Sequence, residues 1–298
     1  MIALPLLASL LLAAPVATTC PPLGSTRADI LKLRESKFEV ASAEDRNALA
    51  VRLLSCLDDP DPAIRDGVVF EGLQVWLRSK ALSPATILIL EASLKKTLAG
   101  EPDAAGFRLP FAALVLSEVA RADRVEPVFP DEVRASLVEV AASSLTRVND
   151  YRGFDPVAGW RHGVAHGADL VLQLSLNPKV DAAGVSRLMQ AVSAQIAPKG
   201  PVFYTFGEPE RLARAVVFSY RRGLLEPAFW EAWFASISDP TPMASWGAAF
   251  QSLDGLARRH NALSFLHALS FAGRVGGDEA GKALAALADK AATRIMGG

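Results

Sequence analysis

The chain has 298 residues, 51% of them hydrophobic and 21% charged, which supports a large folded core and excludes a disordered chain. Its formal net charge is −1, and its Lys/Arg runs stay at two residues (Lys95-Lys96, Arg221-Arg222, Arg258-Arg259). No basic stripe marks a nucleic-acid or anionic-lipid partner, so neither is expected.

Residues 1–19, MIALPLLASLLLAAPVATT, are apolar and lack charged side chains, and charged, helix-like sequence follows CPPLG. Such a run, ending in small residues, predicts a signal peptide cut just before Cys20. The usual basic n-region is missing. Residues 20–298 then form a single α-helical repeat-like domain, exported to the periplasm or the cell exterior. Two alternatives stay open. Cys20 is the acylated residue of a lipoprotein, although VATTC departs from the usual lipobox at Ala17 and Thr19. Or the run stays uncut as a signal anchor, for which it is only just long enough. No membrane span is expected in the mature chain.

The two cysteines, Cys20 and Cys56, are expected to pair in an exported protein. Closing a loop of roughly 35 residues contributes about 3–4 kcal/mol in the chain-entropy description. The competing reading makes Cys56, in RLLSCLDD, a small buried apolar residue at a helical position.

Helix starts then recur along the chain. Ser42 precedes AEDRNALAVRLLSCL. A residue suited to a helix start stands before proline at Asp61-Pro62, Ser83-Pro84, Asp155-Pro156, Glu208-Pro209, Glu226-Pro227 and Thr241-Pro242, and Asp131, Asp181 and Asp278 mark further starts. Proline suits the first helical position, and Asp, Ser or Thr before it caps free amides. The best strand candidate, PVFYTFG at 201–207, is brief. The prediction is an all-α chain of about twelve helices, a succession of αα-hairpins. At 49–73 an amphipathic helix runs into DDPDP and a second opens on Ile64-Arg65, which resembles the HEAT-repeat hairpin. An αα-hairpin superhelix, or HEAT-like solenoid, is the leading architecture, and a compact α/α bundle the second.

The richest stretch is YRGFDPVAGWRHGVAHGADLVLQ, 151–173. Read as one helix from Asp155-Pro156 to Ser175, it puts Val157, Trp160, Val164, Val171 and Leu174 on one side. His162, His166, Asp169 and Gln173 fall nearly opposite, within roughly 60°. Gly159, Gly163 and Gly167 form a third stripe, and each costs about 1 kcal/mol relative to alanine. Close approach of a helix or a ligand is expected to offset that. Three readings compete for the polar stripe. His at i and i+4 with Asp three further on can serve one metal ion, making His162, His166 and Asp169 candidate ligands for Zn or another divalent metal. Against this, HGVAH lacks the glutamate of HExxH, since position 163 is glycine. The stripe is otherwise a solvated face, or a polar wall lining a groove.

Three stretches, DPAIRDGVVFEGLQVWLR, YRGFDPVAGWRHGVAHGADLV and YTFGEPERLARAV, together resemble the uncharacterised bacterial family called domain of unknown function 2785. The middle block is the most specific, matched here by Arg152, Gly153, Gly159, Trp160, His162, His166, Gly167, Ala168 and Asp169. Arg65, Asp66 and Gly67 match the first block, and Glu210, Arg211 and Leu212 the last. The resemblance implies an all-helical fold and supplies no activity. It adds Arg152, Glu210 and Arg211 to the candidate binding residues.

His260 and His267, seven apart, read as structural histidines unless the fold brings them to His162 and His166. No order of residues suggests a nucleophile, and no glycine-rich loop follows a strand. The expected function is ligand or protein-partner binding through a groove lined by the His/His/Asp face, with no cofactor. The alternative is a metal-assisted hydrolase built on the same residues.

Overall fold

The computed structural model describes residues 20–22 and 24–297, so the signal peptide expected at 1–19 lies outside the described residues. The first helices are α1 (Arg27–Glu35), α2 (Ala43–Arg52) and α3 (Pro62–Ile64). α3 continues through a π-helical segment, Arg65–Phe70, into α4 (Glu71–Arg78). Next come α5 (Pro84–Ala99), α6 (Arg108–Val125) and α7 (Asp131–Thr146). A two-stranded hairpin, β1 (Phe154–Asp155) and β2 (Gly159–Trp160), precedes α8 (Gly163–Ser175) and α9 (Ala182–Ile196). The chain ends with α10 (Glu208–Arg221), α11 (Pro227–Ile237), α12 (Leu253–Gly276) and α13 (Glu279–Gly297). Taking α3 through α4 as one rod, the described residues form twelve helices, in line with the expected all-α chain.

Most starts lie where the caps predict. The side chains of Ser42, Asp61, Ser83 and Asp181 accept the amides of Asp45, Ala63, Thr86 and Gly184. Proline occupies the first turn of α3, α5, α10 and α11. The helices then sort into two layers. In one, α4, α6, α8, α10 and α12 each pack on the next; in the other, α5, α7, α9, α11 and α13 do the same. That alternation is the solenoid-like order of stacked αα-hairpins, with the apolar core between the layers.

Two devices hold the array. Cys20 and Cys56 form the expected disulfide, 36 positions apart, with Cα atoms separated by 5.0 Å. Further on, the carboxylate of Asp123 on α6 accepts the amides of Val128 and Phe129, Asn177 Nδ2 and the guanidinium of Arg134, all at 2.8–3.0 Å. Asp123 and Arg134 are only 1% and 2% exposed. Burial pushes the Asp123 carboxyl up, but Arg134 and the two amides outweigh it and hold it below its ordinary value. No helix among the described residues is long and apolar enough to cross a membrane.

Two expected helix starts are corrected. Asp155-Pro156 does not start a helix, because Asp155 Oδ1 accepts the amides of Val157 (2.9 Å) and Ala158 (2.6 Å) and closes the hairpin turn instead. The same acceptor that caps a helix also closes a turn. Gly159, at φ +75°, supplies the left-handed residue that the turn needs. Thr241-Pro242 likewise opens a turn, and α12 starts later, capped by Ser252. The stretch 201–207 is irregular chain held by Asn261, whose side chain accepts from Tyr204 N (2.9 Å) and donates to Val202 O (2.8 Å).

Candidate functional site

The site is assembled around the junction of hairpin and α8. Past the strands, Arg161 N–H donates to Gly153 O (3.0 Å) and His162 N–H to Arg152 O (3.1 Å), so pairing extends to the helix start. His162 is not on the helix. It occupies the N-cap position with φ 59° and ψ 42°, a left-handed conformation uncommon outside glycine. That turn lays its imidazole against the Trp160 indole, with centroids 4.7 Å apart and planes 24° from parallel. The His166 ring lies 5.7 Å away, edge-on.

Both imidazoles line a cavity of about 680 Å³ on the surface of the even-numbered layer. Asp66 and Phe70 enter it from the π-helical segment, a local widening that often accompanies functional sites. Gln74 and Arg78 come from α4, and Glu118 from α6. Asp169 and Gln173 project from α8, and Glu210, Arg211 and Arg214 from α10. Trp160 and Phe206 stand at the mouth, where Phe206 folds over Gly153 so closely that a Cβ there would lie 2.0 Å from the ring.

Most of these charges are matched in pairs. Glu118 accepts from Arg78 Nε (2.9 Å) and Gln74 Nε2 (3.1 Å). Asp169 is bound by Arg211 Nη1, and burial raises its carboxyl while Arg211 opposes the rise. Arg65, fully buried, donates to Asp59 O (2.9 Å) and Ala158 O (2.8 Å) and lies 3.9 Å from the centre of the Phe107 ring. It thereby fastens the hairpin to the turn that precedes α3, and its Nη2 stands 2.8 Å from Asp66 Oδ2. That contact has no hydrogen-bond alignment, and burial pushes the Asp66 carboxyl up. Among the described residues, Glu210 and Arg214 make no ion pair.

The imidazoles are neutral. Burial lowers His162 to about 4, against a donor interaction with the Phe206 backbone. Burial, aided by His162 and Arg211, lowers His166 to about 3. His166 Nδ1 lies 3.2 Å from Pro110 O. A carbonyl only accepts, so Nδ1 carries the proton and Nε2 is left as an acceptor on the groove side. His162 Nε2 is buried with no hydrogen-bond partner.

The structure therefore gathers His162, His166, Asp169, Gln173, Glu210 and Arg211 in one wall. It does not bring Arg152 there, since that side chain is exposed and pairs with Asp150. Nor does it seat Trp160 and Val157 in the core: they are 37% and 86% exposed, because the hairpin carries them away from the α8 apolar face. The glycines part company too. Gly163 and Gly167 face a second cavity of about 380 Å³ behind α8, and Leu145 approaches Gly167 so closely that a Cβ would meet it at 3.0 Å. His260 contacts Tyr204 O (3.3 Å), and neither it nor His267 lines the groove.

Sequence reasoning missed Asp66, Arg78, Glu118 and Phe206 as groove residues. Asp66, Arg78 and Phe206 lie in the stretches that carry the family resemblance, whereas Glu118 lies outside all three. For the metal alternative, no three His, Cys, Asp or Glu side chains among the described residues form a metal-holding group. Asp169 is engaged by Arg211, and His166 turns Nδ1 away to Pro110.

The family described as Protein of unknown function (DUF2785) matches residues 94–271, more than half of the chain. The match takes in α6 through most of α12, and with them the hairpin and the His162–Gln173 wall. No curated protein and no solved structure matches the chain.

Proposed function

The chain belongs to this family of proteins of unknown function, and from its groove we propose that it is an exported binding protein that takes a small polar ligand. The observation that carries the reading is the wall itself. His162 and His166 are 8% and 7% exposed, and His166 Nε2, left as an acceptor by the Nδ1 contact to Pro110 O, borders a cavity of about 680 Å³. Two lining groups, Glu210 and Arg214, make no ion pair among the described residues and are open to a ligand. Export rests on the apolar run 1–19 and agrees with the Cys20–Cys56 disulfide.

A thermal-shift screen of the purified mature protein tests the binding claim. The compounds are sugars, amino acids, short peptides, nucleotides and organic acids. A true ligand at a hundredfold excess over Kd stabilises by about 2.7 kcal/mol. At least one class is expected to raise Tm, with the rise diminished in Glu210→Gln. A flat response to every class would sink the reading. Mass spectrometry of the secreted chain is expected to find Cys20 at its amino terminus.

A further inference from the structure

The chemistry of the groove selects among ligand classes. Its lining holds four carboxylates, Asp66, Glu118, Asp169 and Glu210, against three guanidiniums, Arg78, Arg211 and Arg214. With both imidazoles uncharged, no strong field of either sign remains to draw an ion in. An anion meets a second obstacle. His166 Nε2 presents a lone pair, since its Nδ1 proton is committed to Pro110 O, and a bare oxyanion such as sulfate has no hydrogen to offer it. A cation meets the three guanidiniums. A hydroxyl satisfies both kinds of wall, because it donates to carboxylates and to an imidazole lone pair and accepts from guanidinium N–H groups.

The mouth adds a second property. Trp160 and Phe206 stand at its edge, their rings 6.0 Å apart, with Phe154 a further 5.1 Å from Trp160. All three are exposed, which is unusual for such large apolar side chains grouped at a polar cavity. Aromatic faces beside hydrogen-bonding carboxylates and guanidiniums match a molecule with apolar C–H faces and hydroxylated edges. A pyranose ring has that form.

We infer that the groove binds a carbohydrate, with the Trp160 ring against the sugar's C–H face, Phe206 standing edge-on beside it, and His166 Nε2, Glu210, Arg211 and Arg214 engaging its hydroxyls. This rests on the binding reading above and narrows it to one ligand class. A cavity of about 680 Å³ accommodates a few sugar units.

The test is isothermal titration of the intact mature protein with soluble oligosaccharides of glucose, N-acetylglucosamine, galactose and mannose. At least one is expected to bind with Kd below about 1 mM. Trp160→Ala, at an exposed position, is expected to weaken that binding by about tenfold or more while the far-UV spectrum is kept. Glu210→Gln, also exposed and without an ion pair, supplies a second variant should the first perturb the hairpin. Raising salt is expected to change Kd by less than about twofold, as for an uncharged ligand. Binding unaffected by both variants overturns the assignment. So does failure of every oligosaccharide when an amino acid, nucleotide or organic acid binds, an outcome that leaves the broader binding function standing. If nothing binds in either assay, both readings fall.

Discussion

His162 and His166 have a consequence for stability that follows from their burial alone. In the unfolded chain an imidazole takes up its proton near 6.5, whereas the folded protein resists protonation down to about 4 at His162 and about 3 at His166. Below 6.5 the unfolded state therefore binds more protons, and stability falls with pH. The slope reaches about 1.4 kcal/mol per pH unit for each imidazole. Asp66, Asp169 and Glu208 act oppositely at the acid end, since burial raises all three. Urea midpoints taken at about pH 7.5 and about pH 5 are expected to drop for the parent protein and to drop less for His166→Gln. Equal pH slopes in the two proteins would show that the His166 ring does not remain neutral. The spacing of His162, His166, Asp169 and Gln173 already placed them on one side, but by way of a helix that begins only at Gly163. The left-handed backbone at His162 returns its ring to the same wall.

Helices and their junctions were legible wherever the signal is confined to a few neighbouring residues. Ser42, Asp61, Ser83 and Asp181 cap as read, since the acceptor and the amides it serves lie within three positions. Asp155 failed because its carboxylate serves turn amides equally well, and the choice falls to Gly159 and to Arg65 holding Ala158 O from a site 93 residues away. The knot at Asp123 was invisible for the same reason: it joins the end of α6, the start of α7 and the turn after α8. Asp123→Ala removes the carboxylate that Arg134 and Asn177 share and leaves a guanidinium buried. A loss of about 3–5 kcal/mol is expected from urea unfolding. A loss under about 1 kcal/mol would mean that water reaches Arg134 in the folded protein.

Across the full array, the Cys20–Cys56 bond ties the start of the described chain to the 3-10 turn at Leu53–Cys56. Reduction, or Cys56→Ala, is expected to lower unfolding free energy by about 3–4 kcal/mol, measured with and without dithiothreitol. A midpoint indifferent to reductant would show that the cross-link constrains little in the unfolded chain. The groove depends on the array in another way. Its walls come from α4, α6, α8 and α10, which touch because every second helix shares a layer.

Composition, caps and apolar periodicity were enough to establish an all-α chain with stacked hairpins and a cysteine pair, because helix formation and burial are written in residues a few positions apart. The groove was open only in outline. Which face Trp160 shows, whether Asp169 is paired, and which nitrogen of His166 keeps its proton all depend on partners 42 to 93 positions distant, at Arg211, Pro110 and the Arg65 anchor of the hairpin. Stacking brings those partners together, and local sequence carries no record of which helices will meet.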